Sequence, residues 1–436
     1  MNAIRSRYIP SLPHSTDRMD CLESTVGLMM QSPQLRRVVM AALLAMAIAN
    51  TLVWWNAREL ISQGYGGFTA FYTAGKLLVS GRGYLMYDLP AQWEVQKQIA
   101  PEVKIRSGPL PYVHPPFEAV LFAPFTFLTY STAILLWTFF KLGILLAIPY
   151  VVTHASALPR ELPPWFLAVL SLGTYPVFVD FEQGHDAVLL AFLFAIAFAC
   201  LAKGRELTAG IALGLALFKF HLVVPLVVIL WIAGKRHLVA SFAATAIALL
   251  AVSLAIVGWN GVLAYPGYVL ALNRIPGAGM VTPEYLVNLR GLFTLFFGRA
   301  PWQWLLLLVA LGGVVWAGVL WKKLDNRRLP EAFGLTVLVA ILTSLYAYSY
   351  DLTLLLIPLI GSLTTGVAKS TNSTAAKATR PPNALSTPDR LVSACLTAAI
   401  LLLLCTPLYW FLKLHWHAEC LMSLPLAVAA FTLARR

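Results

Sequence analysis

The sequence predicts an all-α polytopic membrane protein, and three observations support this fold class. The 436-residue chain is 59% apolar and only 12% charged, with a mean hydropathy of +0.74, whereas soluble domains carry roughly a quarter charged residues. Apolar runs of about 20 residues, the length that crosses a bilayer as a helix, recur almost to the C-terminus. These runs are continuously apolar rather than alternating, which favours helices over a β-barrel.

The apolar pattern predicts about twelve membrane segments. They lie near 38–55, 131–153, 164–181, 185–202, 206–221, 222–234, 238–257, 302–322, 330–349, 351–366, 391–412 and 420–434. Basic residues cluster in the short loops between them, for example at Lys203-Gly-Arg205 and Lys235-Arg236. Such loops are typical of the cytoplasmic side, so both termini are predicted to be cytoplasmic. This topology also explains much of the net charge of +13, and we expect no nucleic-acid partner.

Four regions are predicted along the chain. Residues 1–37 form a cytoplasmic N-terminal segment, and residues 38–366 form the main transmembrane domain, with a large external loop at 56–130. The stretch 367–390 is rich in Ser, Thr and Pro and is predicted to be a flexible cytoplasmic linker. Residues 391–436 then form a C-terminal helical hairpin.

The first external loop is the most informative stretch. It is too polar and too rich in Gly and Pro to span a bilayer, so we expect an ordered surface outside the membrane. Its last part, 114–129, is apolar but short and contains three prolines. Counting this part as a crossing would place Lys203-Gly-Arg205 outside, so it is predicted to be re-entrant or interfacial, and a full span remains the alternative.

Polar residues near membrane segments are costly and often functional, and here they gather on one predicted side. Asp180, Glu182, His185 and Asp186 end one helical hairpin, and Lys219 and His221 lie between two helices. Asn288, Arg290, Asp351, His114 and Glu118 fall on the same side. A one-sided cluster suits a site at the lipid–water boundary better than a pathway through the membrane.

Several of these residues also have structural interpretations. Asp186 and Asp351 begin helices, where carboxylates are stabilised by the helix dipole. Lys219 could extend its ammonium to the membrane interface. Lys141 lies in the middle of a predicted helix and needs a partner that the sequence does not identify.

The composition of the cluster suits phosphate and sugar chemistry. A phosphate site needs Lys, Arg or His, and sugar transfer adds a carboxylate that acts as general base. The chain has no HExxH, P-loop or GxSxG motif. Its five cysteines form no CxxC pair and are interpreted as small buried hydrophobic residues. No cofactor is predicted, and the sequence leaves a divalent metal open.

Six segments in order resemble glycosyltransferase family 87. They are FYTAGKLLVSGRGYLMYD with its lead-in from Gly66, PYVHPPFEAVLFAPF, QGHDAVLLAFLFAIAFACLAKGRELTAGIALGLALFKFH, VGWNGVLAYPGYV, NLRGLFTLF and YDLTLLLIPL. The resemblance covers roughly residues 38–366. It implies a GT-C-like fold, a polyprenyl-phosphate sugar donor, as in polyprenol-phosphate-mannose-dependent α-1,2-mannosyltransferases, and transfer on the non-cytoplasmic face.

The chain departs from the family pattern at two places. Members usually carry an acidic residue just before the FY-x-AG motif, where this chain has Gly67, and a Met-Pro pair where it has Leu286-Val287. GT-C enzymes commonly use a carboxylate of this first loop as base. Either another carboxylate serves, with Asp88 and Glu59 nearby, or the chain is weakly active or inactive.

The leading hypothesis is a glycosyltransferase of a bacterial-type inner membrane that moves a hexose such as mannose to a lipid or glycan acceptor. Asp88 or Asp186 is the predicted base, and Lys219, His221 and Arg290 are predicted to bind the donor phosphate. The predicted acceptor cleft comprises Tyr112, His114, Glu118, His185, Asn288 and Asp351. The alternatives are a degenerate lipid-carrier binding protein or flippase of the same fold, and an ion-coupled transporter.

Overall fold

The computed structural model describes residues 33–99, 108–155, 162–272, 283–298, 303–323, 328–360, 399, 402–403 and 405–435. Within these ranges, the helices of six or more residues and of α type are α1 (Pro33–Ser62), α2 (Phe68–Val79), α3 (Leu89–Ile99), α4 (Tyr130–Ala155), α5 (Pro164–Leu172), α6 (Tyr175–Gln183), α7 (Ala187–Ala202), α8 (Glu206–Leu215), α9 (Phe220–Ile232), α10 (Arg236–Leu272), α11 (Leu289–Phe297), α12 (Gln303–Lys323), α13 (Leu329–Thr343), α14 (Thr406–Phe411) and α15 (Ser423–Arg435). The predicted linker 367–390 and most of segments 1–37 and 391–404 lie outside the described residues.

The all-α membrane prediction is confirmed at the level of fold class. Five stretches are long and apolar enough to span a bilayer: Arg37–Ser62, Tyr130–Ala155, Glu206–Ile232, Arg236–Leu272 and Trp304–Lys323. Further apolar helices of 10–17 residues follow the other predicted segments, including Ala187–Ala202 and Leu329–Thr343. These helices are shorter than the about 20 residues that a single crossing needs, so the number of about twelve spans stays a prediction.

The stretch Glu206–Ile232 folds back on itself. It contains α8, a 3₁₀ turn at Ala216–Lys219, and α9. A straight helix of this length would separate its ends by about 40 Å. Instead, the Lys235 Nζ beyond its end lies 3.2 Å from the Glu206 Oε1 at its start. Lys219 therefore occupies the turn at the far end of a hairpin. Its two helices follow the predicted segments 206–221 and 222–234 in order, but at 10 and 13 residues neither has the length of a single crossing.

The predicted segment 164–181 is interrupted. Helix α5 ends at Leu172, and α6 begins at Tyr175. A Cβ on Gly173 would lie 2.1 Å from the Leu43 carbonyl oxygen of α1, so only glycine allows the two backbones to approach this closely. Neither half reaches the length of a span.

Helix α10 bends at Gly258, whose φ of +68° and ψ of 177° are non-helical. A left-handed φ favours glycine, and the predicted membrane segment 238–257 ends at this bend. The C-terminal leg packs over the first loop, where the Tyr265 hydroxyl donates to the Val113 carbonyl at 2.9 Å. Gln92 Nε2 also donates to the Tyr268 hydroxyl at 3.2 Å.

The predicted loop 56–130 folds largely into helices. Helix α1 continues to Ser62, and α2, α3 and short helical turns at 116–127 follow. Helix α2 is almost wholly buried, and its Phe68 contacts Phe122, Tyr130 and Trp137 at ring-centroid distances of 5.7–6.3 Å. This aromatic core anchors the segment against α4 and explains how a polar stretch becomes an ordered surface.

Lys141 of α4 has a partner. Its Nζ donates to the Asp180 carboxylate at 2.9 Å and to the Asp180 carbonyl at 2.7 Å, and both side chains are fully buried. The other carboxylate oxygen accepts the Ala187 N–H at 2.8 Å. One ion pair thus ties α4 to α6 and to the start of α7.

Candidate functional site

A cavity of about 450 Å³ opens where the first loop meets the turns between helices. Five of the predicted site residues line it. They are His114, His185, Lys219, His221 and Asp351. Helix α7 has 16 residues and separates its start, next to this cavity, from the Lys203 end by about 24 Å. The cavity and the basic loops therefore lie at opposite ends of the helices.

Lys219 is the centre of the site. Its Nζ lies 2.9 Å from Asp186 Oδ1 and 2.6 Å from Asp351 Oδ1, and the three side chains are at most 4% exposed. The ammonium also sits 4.5 Å from the centre of the Tyr350 ring, a cation–π distance. The alternative that Lys219 extends to the membrane interface is therefore wrong, because carboxylates hold it in the interior.

Local structure explains why these charges meet. Asp186 directly precedes α7, and Lys219 ends the 3₁₀ turn between α8 and α9. Asp351 lies in the first turn of a 3₁₀ helix, where its Oδ2 accepts the Tyr348 N–H at 2.9 Å. The capping interpretation thus holds for Asp351. It does not hold for Asp186, whose side chain makes no capping hydrogen bond, since Asp180 accepts the Ala187 N–H.

His114, Glu118 and Asp186 form a second group beside Lys219. His114 Nδ1 lies 2.7 Å from Glu118 Oε2 and 3.5 Å from Asp186 Oδ2. The Glu118 and Asp186 side chains are at most 1% exposed, whereas His114 is 15% exposed and reaches the cavity wall. The two carboxylates therefore lie behind His114 as seen from the cavity.

Burial shifts the protonation of this group. Burial raises the pKa of Glu118 to about 8, and the nearby Asp186 carboxylate adds to the rise while His114 opposes it. Burial lowers the pKa of His114, but the Glu118 and Asp186 carboxylates outweigh it, so the net pKa is raised. Two buried carboxylates, Glu118 and Asp186, thus lie close together, and each is stabilised by a nearby positive charge.

His185 fills the space that a side chain at position 67 would take. Its ring stacks on Tyr350 at 4.1 Å between centroids, and its Nε2 lies 3.0 Å from Gln183 Oε1. A Cβ on Gly67 would lie 2.6 Å from His185 Cε1. The glycine is therefore matched to this histidine, and both residues line the cavity.

Gly67→Ala is expected to lower the free energy of unfolding by about 1–3 kcal/mol, because the added methyl group overpacks the His185 ring. His185→Ala in the same chain should recover much of this loss by vacating the space. Thermal unfolding in detergent would measure both variants. If Gly67→Ala alone is as stable as the wild type, the close packing of Gly67 against His185 is contradicted.

The predicted phosphate ligands His221 and Arg290 are separated. His221 lines the cavity, with its ring centroid 6.1 Å from that of Tyr346. Arg290 is absent from the described cavity wall: its guanidinium lies 5.1 Å from the Tyr346 ring centre and donates to the Leu345 carbonyl at 3.2 Å. Tyr346 thus contacts both side chains.

Three predicted site residues make structural hydrogen bonds. Asp88 is exposed and accepts the Ala91 N–H at 2.8 Å, which caps α3. Tyr112 is fully buried and donates to the Pro115 carbonyl at 2.9 Å. Asn288, also buried, caps α11 through the Gly291 N–H and donates to the Ser344 carbonyl. Neither Asp88, Tyr112 nor Asn288 lines the described cavity.

The sequence interpretation missed two charged residues of the cavity, Lys413 and Glu419. They lie in the turn between α14 and α15, far from the other site residues in sequence. The sequence predicts that the turn 413–419 faces the same side of the membrane as the other site residues, and this was the one available signal. The alternative base Glu59 is elsewhere, since its side chain is 79% exposed and lies 3.7 Å from Arg58.

Comparison with known proteins gives one result. The family model described as glycosyltransferase family 87 matches residues 112–349, more than half of the chain. The match contains His114, Asp186 and Lys219, and it ends before Asp351 and the C-terminal turn. No curated protein and no solved structure matches the chain.

Proposed function

This chain belongs to glycosyltransferase family 87, and we propose that it transfers a hexose, such as mannose, from a polyprenyl-phosphate donor to a lipid or glycan acceptor. The observation that carries this proposal is the buried Lys219 ammonium between Asp186 and Asp351 on the wall of one cavity. A site that binds a sugar phosphate and removes a hydroxyl proton needs both charge types in a space shielded from water. We place the reaction on the non-cytoplasmic face of a bacterial-type inner membrane, with both termini cytoplasmic.

We assign the base to Asp351. Of the carboxylates predicted for the site, Asp88 and Asp186 do not line the described cavity, whereas Asp351 does. In the proposed step the acceptor hydroxyl oxygen attacks the anomeric carbon. The bond from that carbon to the phosphate oxygen breaks, and polyprenyl phosphate leaves with the electron pair. Asp351 takes the hydroxyl proton.

Cations on the same wall support the leaving phosphate. Lys219 and Lys413 are cations that line the cavity, and the His221 imidazole, which also lines it, can donate a hydrogen bond to a phosphate oxygen. Negative charge grows on the phosphate as the bond breaks, so fixed cations stabilise the transition state. Asp186 then acts as a positioning residue that holds Lys219 toward Asp351. Arg290, which contacts Tyr346 but does not line the described cavity, adds positive charge near the phosphate site.

Asp351→Asn is expected to lower the transfer rate by a factor of about 10²–10⁴, the usual contribution of a general base. The measurement is transfer of labelled hexose from a synthetic polyprenyl-phosphate donor by the full chain in lipid nanodiscs. Glu94→Gln is the matched control, because Glu94 is exposed and pairs with Arg82 on the surface at 3.6 Å. No transfer by the wild type with any hexose donor, beside an active family member, would refute the proposed function.

A second candidate function is binding of a lipid carrier without transfer, and Gly67 favours it because the family's usual acidic residue is absent there. Under this function the wild type binds polyprenyl phosphate but turns over no donor. Gly67→Asp, combined with His185→Ala to make room, would then gain transfer. Transfer by the wild type would exclude this candidate.

A further inference from the structure

We propose that His114, Glu118 and Asp186 form a binding site for one divalent metal ion directly behind the cavity wall at His114. The proposal rests on ligand chemistry, geometry and charge, and it does not depend on which sugar the protein transfers. One imidazole nitrogen and two carboxylates are a common ligand set for Mn²⁺ and Zn²⁺. Their ligand atoms all lie within 4.8 Å of one another.

The spacing of the ligand atoms suits a shared ion. His114 Nδ1 is 2.7 Å from Glu118 Oε2 and 3.5 Å from Asp186 Oδ2. Adjacent ligands around an ion with bonds of about 2.1 Å are about 3 Å apart, and the two measured separations bracket this value. The arrangement follows from two local features: the i, i+4 spacing of His114 and Glu118, and the position of Asp186 before α7.

The polar atoms of this group lack hydrogen bonds. Among the described residues, neither oxygen of Glu118 nor Oδ2 of Asp186 accepts a hydrogen bond, although all three atoms are buried; Asp186 Oδ1 is held by the Lys219 ammonium at 2.9 Å. Buried polar atoms without such partners are rare and costly. Glu118 is the clearest case, since its side chain is 1% exposed and faces the His114 ring. An ion between the three residues would satisfy these atoms.

The charges point the same way. The cluster contains three buried carboxylates and one lysine: Asp186 and Asp351 contact Lys219, and Glu118 contacts His114. With all four ionised and His114 neutral, the cluster carries two uncompensated negative charges. A divalent cation balances both charges at once, whereas a proton on His114 balances only one and a second proton, on Glu118, would be needed for the other. His114 reaches the cavity wall, which gives an ion access from that side.

The test uses the full chain in detergent, stripped with a chelator and titrated with Mn²⁺ alone. Electron paramagnetic resonance would report free Mn²⁺, and we expect one ion bound per chain and a rise in melting temperature, since a ligand that binds the native state stabilises it. Glu118→Gln should weaken binding at least tenfold and abolish the rise in melting temperature. Glu419→Gln, which changes another buried carboxylate of the same cavity, should leave both unchanged.

Two outcomes would overturn the proposal. In the first, the wild type binds no stoichiometric Mn²⁺ at millimolar concentration, and Glu118→Gln is more stable than the metal-free wild type. This result would mean that the cluster holds protons only. The other is equal binding by wild type and Glu118→Gln, which would mean adventitious surface binding. If Glu118→Gln fails to fold, His114→Gln provides the same comparison.

Discussion

Lys219→Met is expected to abolish sugar transfer and to lower the free energy of unfolding by about 3–5 kcal/mol, the usual cost of removing one partner of a buried ion pair. Methionine keeps the length of the side chain and removes the ammonium. Asp186 and Asp351 then face each other as buried carboxylates without the cation that lies 2.9 and 2.6 Å from them. Thermal unfolding and the nanodisc transfer assay would measure the two effects.

Lys97→Met is the matched control for this experiment, because Lys97 is exposed on α3 and surface charges contribute little to stability. Lys219→Met/Asp351→Asn should recover part of the lost stability by removing one uncompensated charge, and it should recover no transfer. Wild-type stability of Lys219→Met would show that the three residues do not form the buried cluster.

Lys141→Met is expected to destabilise the protein by a similar amount, about 3–5 kcal/mol, because it leaves the Asp180 carboxylate buried with the Ala187 N–H as its remaining hydrogen-bond partner. Lys141 does not line the described cavity. Protein that remains folded at low temperature should therefore keep much of its transfer activity, in contrast to Lys219→Met.

The double variant Lys141→Met/Asp180→Asn should be more stable than Lys141→Met alone. Asparagine is neutral and can still accept the Ala187 N–H. A double-mutant cycle of unfolding free energies would give the coupling between the two residues. A coupling near zero would contradict the ion pair at 2.9 Å.

The sequence predicted the fold class, which follows from composition, and it predicted that the polar residues gather at one end of the helices, opposite the basic loops; the side of the membrane stays a prediction. It could not predict partners. The helices that carry Lys141 and Asp186 are apolar on nearly every face, so periodicity does not show which face meets a neighbour. The choice between capping and ion pairing was likewise open at Asp186 and Asp351, because both roles place a carboxylate at a helix start.

Segment lengths were also only partly predictable. Hydropathy placed one crossing at 164–181, whereas the structure divides that segment between Leu172 and Tyr175. Gly173 and Pro176 are local signals of this break, but the packing of Gly173 against Leu43 joins distant segments and leaves no local signal. The C-terminal turn with Lys413 was missed as a part of the site for the same reason. By contrast, the prediction of a turn at 219–221 rested on charged residues within an apolar run, a strong local signal.

The fold-back at Lys219 has a consequence for assembly in the bilayer. The Lys219 ammonium contacts Asp186 at the start of one helix and Asp351 at the start of another, so three elements must reach matching depths. Sliding any one by a single residue shifts it by about 1.5 Å and turns it by about 100°, which would leave a buried charge without its partner. Helices that contact each other only through apolar side chains can shift in this way at little cost, whereas the buried contacts of Lys219 with Asp186 and Asp351 fix the relative positions of the three elements.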